Sequence, residues 1–403
     1  MLECIVLKSR SANDRNVRLY LTGLVASLLG DSAMSVVAGI WTKDLTGSNR
    51  TAGLISICVF LPSLLAPVTG LLADRFRRRP FLIVANLAAA AVVLTLLAVE
   101  GAAQTWLLFT VMGWYGLTIV TIDPAETALL TELMPPERLG RLNGLRMTLQ
   151  EGGKLIAPLG GAALYALTGG RAVAVLDAVS FAVAAACVAG LRLDERPPPP
   201  RESHWRAEIV AGLRHIRGDR SLAGLIAAGA VAMIVSGVAF PAQYALVDAL
   251  HRPASFIGLL TALLGAGSIV AGLLSGRVMD RVGARRLAGF GCVAAVASYG
   301  LMSTGALVPV LVGSTVRGLA LPWIVVAVIT AAQQRTPGPL QGRVAATVTL
   351  ALFATQPVVT AAGALLIDPV GYRGLYLGAA VGFVLLGAAL LVGRPVPPAA
   401  ARP

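Results

Sequence analysis

Charged residues are scarce in this chain of 403 residues. They make up 13% of it, whereas 56% of the residues are hydrophobic. The charges gather in short clusters between apolar segments, while a soluble domain mixes the two kinds more evenly. This pattern excludes an ordinary soluble fold and favours a protein that lies in a membrane.

Cysteine and histidine are also rare and do not form motifs. The four cysteines stand singly, and there are three histidines in the whole chain. Their spacing fits neither a disulfide framework nor a metal centre, and no Ser-His-Asp set or Gly-rich phosphate loop ending in Gly-Lys-Ser/Thr is present. We therefore expect no enzyme activity, no cofactor, no metal site and no ATP-driven pump.

Long apolar runs are abundant instead. Each is about 20 residues long or slightly longer, the length of a helix that crosses a hydrocarbon core of roughly 30 Å. The 44 glycines suit close helix contacts in lipid. The sequence predicts an all-α polytopic membrane protein with twelve transmembrane helices, at 18–41, 52–73, 80–99, 105–130, 144–168, 172–191, 222–247, 256–276, 286–304, 306–332, 344–367 and 373–393.

Lysine and arginine indicate the topology. The first 17 residues lack the pattern of a secretory signal, so we place the N-terminus inside. The inner segments then hold 26 of the 33 basic residues, the outer loops hold 5, and only Lys154 and Arg317 lie inside helices. This positive-inside bias predicts a multi-pass protein of the cytoplasmic (inner) membrane with both termini in the cytoplasm. The net charge of +13 needs no nucleic acid, because these basic residues face anionic lipid headgroups.

The longest polar stretch divides the chain into two halves. We predict a six-helix bundle over 1–191, a cytoplasmic central loop over 192–221 and a second six-helix bundle over 222–403. Four consecutive prolines in the loop resist helix, whereas HWRAEIVAGLRHIR after them is typical of a short basic amphipathic helix at the inner surface.

The two halves are similar to each other. GLLADRFRRRP (70–80) corresponds to GRVMDRVGARR (276–286), since both contain Gly, three residues and Asp-Arg before further basic residues. MPPERLGRLNG (134–144) corresponds to TPGPLQGRVAA (336–346). Both pairs are about 202 to 206 residues apart, which indicates repeats of one topology related by an axis along the membrane normal.

These features together resemble the major facilitator superfamily across essentially the whole chain. The Gly-x-x-x-Asp-Arg loops follow the second and eighth helices, and the first of them has Arg77 where the family pattern has a second glycine. That departure, and the first helix with its loop (LGDSAMSVVAGIWTKDLTGS), are similar to macrolide-efflux and siderophore-exporter-like members. The resemblance implies a secondary transporter that works by alternating access.

The fifth helix contains QEGGKLIAPLGGAAL (150–164). Gly153, Ala157, Pro158 and Gly161 resemble the fifth-helix motif of drug–proton antiporters, with alanine in two glycine positions. Small residues at every fourth position also form a strip that a neighbouring backbone can approach, and Pro158 bends the helix. Simple helix packing explains the small residues as well, so only the resemblance makes them a mark of an exporter.

Several charged residues lie at membrane depth, where each costs on the order of 3 kcal/mol. Glu151 and Lys154 are one helical turn apart and either form a pair that only orients two helices or face a polar cavity. Asp177 lies in the sixth helix. Buried carboxyl groups can load and release a proton as access alternates. The residues that we assign to proton coupling and the substrate cavity are Asp31, Asp123, Glu126, Glu151, Lys154 and Arg317.

The repeated loops predict a cytoplasmic gate. By the repeat symmetry, Asp74 would approach the start of the eleventh helix and Asp280 the start of the fifth, where a helix N-terminus stabilises a carboxylate by roughly 0.3 to 1 kcal/mol. Alternatively, the two aspartates only offset neighbouring arginines. The residues assigned to the gate are Gly70, Asp74, Arg75, Gly276, Asp280 and Arg281.

The expected function is proton-coupled efflux of a hydrophobic, cationic drug-like compound by a monomeric protein. Its partners would be the lipophilic substrate, protons and membrane lipids. The alternatives are an exporter of a siderophore or another endogenous metabolite, an importer, and a membrane sensor or scaffold that transports nothing. Lys154 and Arg317 suit an anionic substrate equally well.

Overall fold

The computed structural model describes residues 12–62, 77–133, 136–192, 205–337 and 340–392. Within these ranges the chain is helical, apart from short connections, and contains no strand. The prediction of an all-α polytopic membrane protein is confirmed. Gly70, Asp74 and Arg75 lie outside the described residues, so the gate assigned to them stays a prediction.

Fourteen α-helices are present in the described ranges. In the first half of the chain they are α1 (Ala12–Thr46), α2 (Asn49–Phe60), α3 (Arg78–Leu94), α4 (Thr105–Leu133), α5 (Pro136–Thr168) and α6 (Gly170–Ala189). In the second half they are α7 (Trp205–Gly218), α8 (Arg220–Ala239), α9 (Ala242–Ala249), α10 (Phe256–Val282), α11 (Ala284–Ser303), α12 (Leu307–Arg335), α13 (Gln341–Phe353) and α14 (Gln356–Val392).

Nine helical segments in the described part of the chain are long and apolar enough to cross a membrane. Each of the twelve predicted runs coincides with a helix in whole or in part. The counts differ because the structure describes the second run only to residue 62, the apolar part of α5 is short, and the last two runs fall in one long helical stretch, Arg343–Leu391. Within that stretch the predicted outer loop is a kink at Pro369 and Gly371, where glycine adopts a left-handed φ of 71°.

The helices form two compact units. The first contains Met1–Gly47 and Cys58–Ser203, and the second contains Ser48–Ile57 and His204–Pro403. The boundaries predicted from the sequence, at residues 191 and 222, stay a prediction.

In the first unit, α1 packs against α5 and α6, and α3 packs against α6. A core of apolar side chains joins these helices, including Leu24, Leu82 and Leu129. Asn16, near the start of α1, joins this helix to the segment that follows α6. Its side-chain amide donates to the carbonyl of Arg192 and accepts from the Arg192 N–H, each at 3.0 Å.

In the second unit, α11 packs against α12 and α14, α10 packs against α12, and α8 packs against α14. The aromatic rings of Tyr299, Tyr376 and Phe383 are fully or almost fully buried. The centroid of the Tyr299 ring lies 5.8 Å from that of Tyr376 and 5.8 Å from that of Phe383. The amphipathic helix expected after the central prolines is α7, and its Gly212 lies directly against α13.

Candidate functional site

Carboxyl and hydroxyl groups meet in the interior of the first unit, between α1, α4 and α6. Asp177 of α6 is fully buried. Its carboxylate accepts a hydrogen bond from the hydroxyl of Tyr115 in α4 and lies within reach of the hydroxyl of Ser180, at 3.4 Å. We call Asp31, Tyr115, Asp177 and Ser180 the acid cluster.

Asp31 of α1 completes the acid cluster. Its Oδ2 accepts a hydrogen bond from Ser27 at 3.0 Å, and its carboxylate also interacts with the Tyr115 hydroxyl. The backbone of α1 can approach because residue 30 is glycine, and a Cβ there would lie 2.9 Å from the Cβ of Ser180. One phenol therefore interacts with two carboxyl groups on different helices.

The acid cluster is poor in compensating charge at Asp177. None of the residues that the structure describes forms an ion pair with Asp177. Exclusion of water disfavours the ionised form of a carboxyl group. Hydrogen bonds from hydroxyl groups favour the ionised form, but they compensate only part of this cost. A site of this kind suits reversible protonation. The sequence had singled out Asp31 and noted the depth of Asp177, but it gave no reason to link them through Tyr115.

Glu126 belongs to a second polar contact in the same unit. Its carboxylate lies 3.5 Å from the guanidinium of Arg146 in α5, and the two side chains are 17% and 11% exposed. Arg146 lies near the start of the predicted fifth helix, 144–168, and the structure includes it in α5, which begins earlier, at Pro136. Its position in the chain gave no reason to pair it with Glu126 of α4.

The other assigned residues of α4 and α5 are only partly described. Asp123 lies in α4, and Glu151 and Lys154 lie in α5, but their side chains are outside the described part of the structure. Spacings of three residues place Glu126 on the helix face of Asp123, and Lys154 on that of Glu151. Their assignment to the substrate cavity stays a prediction.

The small-residue strip of α5 lies against α1. Gly153, Ala157, Pro158 and Gly161 are all buried. A Cβ added at Gly161 would lie 2.6 Å from the Cβ and 2.8 Å from the Cα of Ala33, closer than real Cβ contacts. The strip therefore allows the close backbone approach that its spacing predicts. Whether it also marks an exporter is a separate question, which packing does not answer.

Arg317 lies in α12, in the second unit, and is only 5% exposed. Its charge interacts with the phenol groups of Tyr299 and Tyr376. No hydrogen bond or ion pair connects its guanidinium with any other residue in the described ranges. It follows Tyr115 by 202 residues, so the predicted repeat places a guanidinium at the position that corresponds to this phenol.

The second set of residues that the sequence assigns to the gate lies at the end of α10. Gly276, Asp280 and Arg281 are all exposed, and α10 ends at Val282. Gly283 follows with a left-handed φ of 82°, a conformation that glycine adopts without strain. The sharp change of direction between α10 and α11 therefore depends on this glycine. The partner predicted for Asp280 stays a prediction.

The chain is similar to known transporters over most of its length. Residues 19–244 and 225–403 match the family model described as Major Facilitator Superfamily. "Macrolide efflux protein A" of Streptococcus pyogenes is 24% identical over 273 residues, which are 66% of this chain and 67% of that protein. "Multidrug resistance protein MdtG" of Salmonella typhimurium is 27% identical over 274 residues, 66% of each.

Solved structures show the same fold. The crystal structure of the nucleoside transporter NupG superposes with a TM-score of 0.72 at 13% identity and covers 94% of this chain and 98% of that one. The family match over residues 19–244 and 225–403 means that the chain is a multi-pass membrane transporter and not an enzyme, and the likeness in fold agrees with it. The protein belongs to the Major Facilitator Superfamily.

Proposed function

We propose that this protein exports a lipophilic, cationic compound in exchange for protons, and that the acid cluster carries the coupled proton. The observation that carries the proposal is the interaction of Tyr115 with both Asp31 and Asp177 in the interior of the first unit. Carboxyl groups at membrane depth are costly. Helix packing alone does not require such groups, whereas proton exchange does, because a carboxyl group can bind a proton and release it as access alternates.

Efflux is favoured over uptake by two of the relatives. One is named for macrolide efflux and the other for multidrug resistance, and the match with each covers about two thirds of this chain. A lipophilic substrate agrees with a chain whose membrane-depth charges are few. A cationic substrate agrees with the carboxyl groups of the first unit, because an ionised carboxylate attracts a cation and protonation removes that attraction. Substrate and proton would then exclude each other, as an exchanger requires.

A conformational gate belongs to the same proposal. Asp74 follows the predicted run 52–73, and Asp280 follows the predicted run 256–276, at corresponding positions of the two predicted repeats. A carboxylate beside a helix N-terminus is stabilised by the helix dipole and by unsatisfied N–H groups. We propose that each aspartate binds a helix N-terminus and thereby closes the cytoplasmic side, with both termini in the cytoplasm and the monomer as the working unit.

An organic anion is a second candidate substrate because of Arg317. A guanidinium that is 95% buried and has no hydrogen-bond partner among the described residues suits a carboxylate or phosphate group of a ligand. The positive charge of Lys154 would also favour an anionic substrate. The two candidates differ in the sign of the substrate charge, and a substrate panel separates them.

Everted membrane vesicles test the proposal. A pH gradient with the acidic side inside should drive accumulation of a lipophilic cationic dye, and a protonophore should abolish it. The Asp31→Asn variant should lose this accumulation but still let the dye equilibrate down its own gradient. Accumulation that persists in Asp31→Asn and in Asp177→Asn would contradict proton transfer at the acid cluster. If the pH gradient drives only an anionic compound, Arg317 defines the substrate class instead.

A further inference from the structure

A large cavity opens in the second unit, between the adjacent ends of α8, α11, α12 and α14. Its volume is about 940 Å³. Four arginines line one end of it, and small and aliphatic residues line the rest, among them Leu225, Ala228, Val231 and Leu386. The cavity exists because α8 and α11 make few contacts with each other, although both pack against other helices of the unit.

Two of the four arginines are engaged in holding the fold. Arg335 donates to the carboxylate of Asp219 at 3.1 Å. Arg285 donates to the carbonyl groups of Leu390 and Ala389, each at 2.8 Å, and thereby satisfies acceptors at the end of α14. These contacts fix the walls of the cavity.

The other two arginines are available to a ligand. Arg220 and Arg286 are exposed, and neither forms a hydrogen bond or ion pair with a residue in the described ranges. Asp219, the only carboxylate that contacts a lining arginine in those ranges, is occupied by Arg335 and by the N–H groups of Ser221 and Leu222. The charge at this end of the cavity is therefore positive and uncompensated, which suits an anionic group.

The shape of the cavity indicates what carries that anionic group. The lining follows α8 from Arg220 to Val231, a distance of about 16 Å at 1.5 Å per residue. This is close to half of a hydrocarbon core of roughly 30 Å, the depth of one leaflet. Val231, at the far end, is 44% exposed. A free anion would use the arginines alone, whereas an acyl chain would also cover the apolar wall.

We propose that this cavity binds one anionic phospholipid, with its headgroup phosphate on Arg220 and Arg286 and an acyl chain along α8. The arginines lie at the start of α8, the start of α11 and the end of α12, which is one end of the unit. Basic clusters of this kind between membrane helices are suited to anionic headgroups. The proposal depends on neither the direction of transport nor the coupled ion.

Native mass spectrometry of the full chain in detergent tests the site, with phosphatidylglycerol and phosphatidylcholine of matched acyl chains as probes. The wild-type protein should retain one phosphatidylglycerol in preference to phosphatidylcholine. The Arg220→Gln/Arg286→Gln variant should bind phosphatidylglycerol roughly 5-fold more weakly for each arginine removed, hence about 25-fold in total. The matched control is Arg217→Gln/Arg277→Gln, which removes the same charge from exposed arginines of the same unit that do not line the cavity.

A third variant tests the apolar wall without a change of charge. Gly224 lines the cavity, and a Cβ there would meet no atom within 4 Å. Gly224→Leu should therefore fold normally, fill part of the groove and weaken phosphatidylglycerol binding.

Three results would overturn the proposal. Equal loss of lipid in the control variant would mean that charge alone, without a built site, retains it. Unchanged binding in Gly224→Leu would mean that no acyl chain lies along α8. Inorganic phosphate that stabilises the wild-type protein against heat as strongly as phosphatidylglycerol would make the cavity a site for free anions.

Discussion

The hydroxyl of Tyr115 donates a hydrogen bond to the carboxylate of Asp177, 62 positions later in the chain. The bond joins α4 to α6 in the interior of the first unit, where both residues are buried. The ring of Phe181 contacts Tyr115 edge-on, with centroids 5.8 Å apart, and closes the site on one side. The pair is therefore held by apolar packing and by the second carboxylate, Asp31.

Replacing the acid and replacing the phenol should have different effects. Asp177→Asn keeps an oxygen that accepts from Tyr115, so we expect near-normal stability, loss of pH-driven accumulation and continued downhill transport. Tyr115→Phe leaves Asp177 with only the Ser180 hydroxyl, at 3.4 Å, as a donor. The lost hydrogen bond costs about 1–3 kcal/mol, so we expect a lower melting temperature. Dye accumulation in vesicles and thermal unfolding in detergent measure the two effects.

Asp44 and Tyr165 provide the control for this pair. They form the same kind of contact, with a hydroxyl–carboxylate distance of 2.8 Å, but at an exposed position. Tyr165→Phe should change neither coupling nor stability by much, because water replaces the lost partner. A large loss of accumulation in Tyr165→Phe would mean that the vesicle assay reports general damage.

The Glu126–Arg146 ion pair should be important for stability. Its side chains are less than one-fifth exposed, so Glu126→Gln or Arg146→Met alone leaves one charge in a poor environment, at a cost of about 3–5 kcal/mol. The double variant should recover most of the melting temperature. If the double variant is stable but accumulates no dye, Glu126 takes part in coupling. If the single and double variants have the same melting temperature, the two side chains do not stabilise each other.

Adding one methyl group at the contact between α1 and α5 should lower the stability of the protein. Gly161→Ala would bring a Cβ to 2.6 Å from that of Ala33, and overpacking of this kind costs about 1–3 kcal/mol. Gly160→Ala is the matched control, because its Cβ would meet no atom within 4 Å. We expect a lower melting temperature for Gly161→Ala only, and equal values for the two variants would mean that α1 moves away readily.

Asp219 should contribute stability that depends on pH. Burial alone would raise its pKa, but hydrogen bonds from the Leu222 N–H, from Arg335 and from the Ser221 N–H outweigh this, so the pKa is lowered. The ionised form therefore stabilises the fold above pH of about 4, and the contribution is lost as the pH falls through the lowered pKa.

Asp219→Ala, which also removes the N-cap of α8, should cost about 1 kcal/mol at neutral pH. The difference in melting temperature from the wild type should shrink between pH 5 and about pH 3. Asp368→Asn, at an exposed position of α14, is the control. A difference for Asp219→Ala that does not change with pH would mean that its charge is irrelevant.

The amino-acid sequence determined the membrane class, the helix positions and the repeat. These properties depend on local quantities: a helix must be long and apolar enough to cross the hydrocarbon core, and basic residues must stay in water. The strip of small residues at Gly153, Ala157 and Gly161 was also predictable from the sequence, because a four-residue spacing brings residues onto one helix face. The resemblance to the family, which the family model confirmed over residues 19–244 and 225–403, depended on loop motifs that are continuous in the chain.

The tertiary structure decided which of the charged residues meet. Nothing in the sequence distinguished Asp177 from the other membrane-depth acids, or linked it with Tyr115, because partners on different helices are set by helix rotation and packing and not by spacing. The same reason applies to Arg146 of α5, whose ion pair with Glu126 of α4 follows from no spacing in the chain. The lipid-sized cavity among Arg220, Arg285, Arg286 and Arg335 likewise exists only once four helix ends converge, since a void is a property of packing that no single segment encodes.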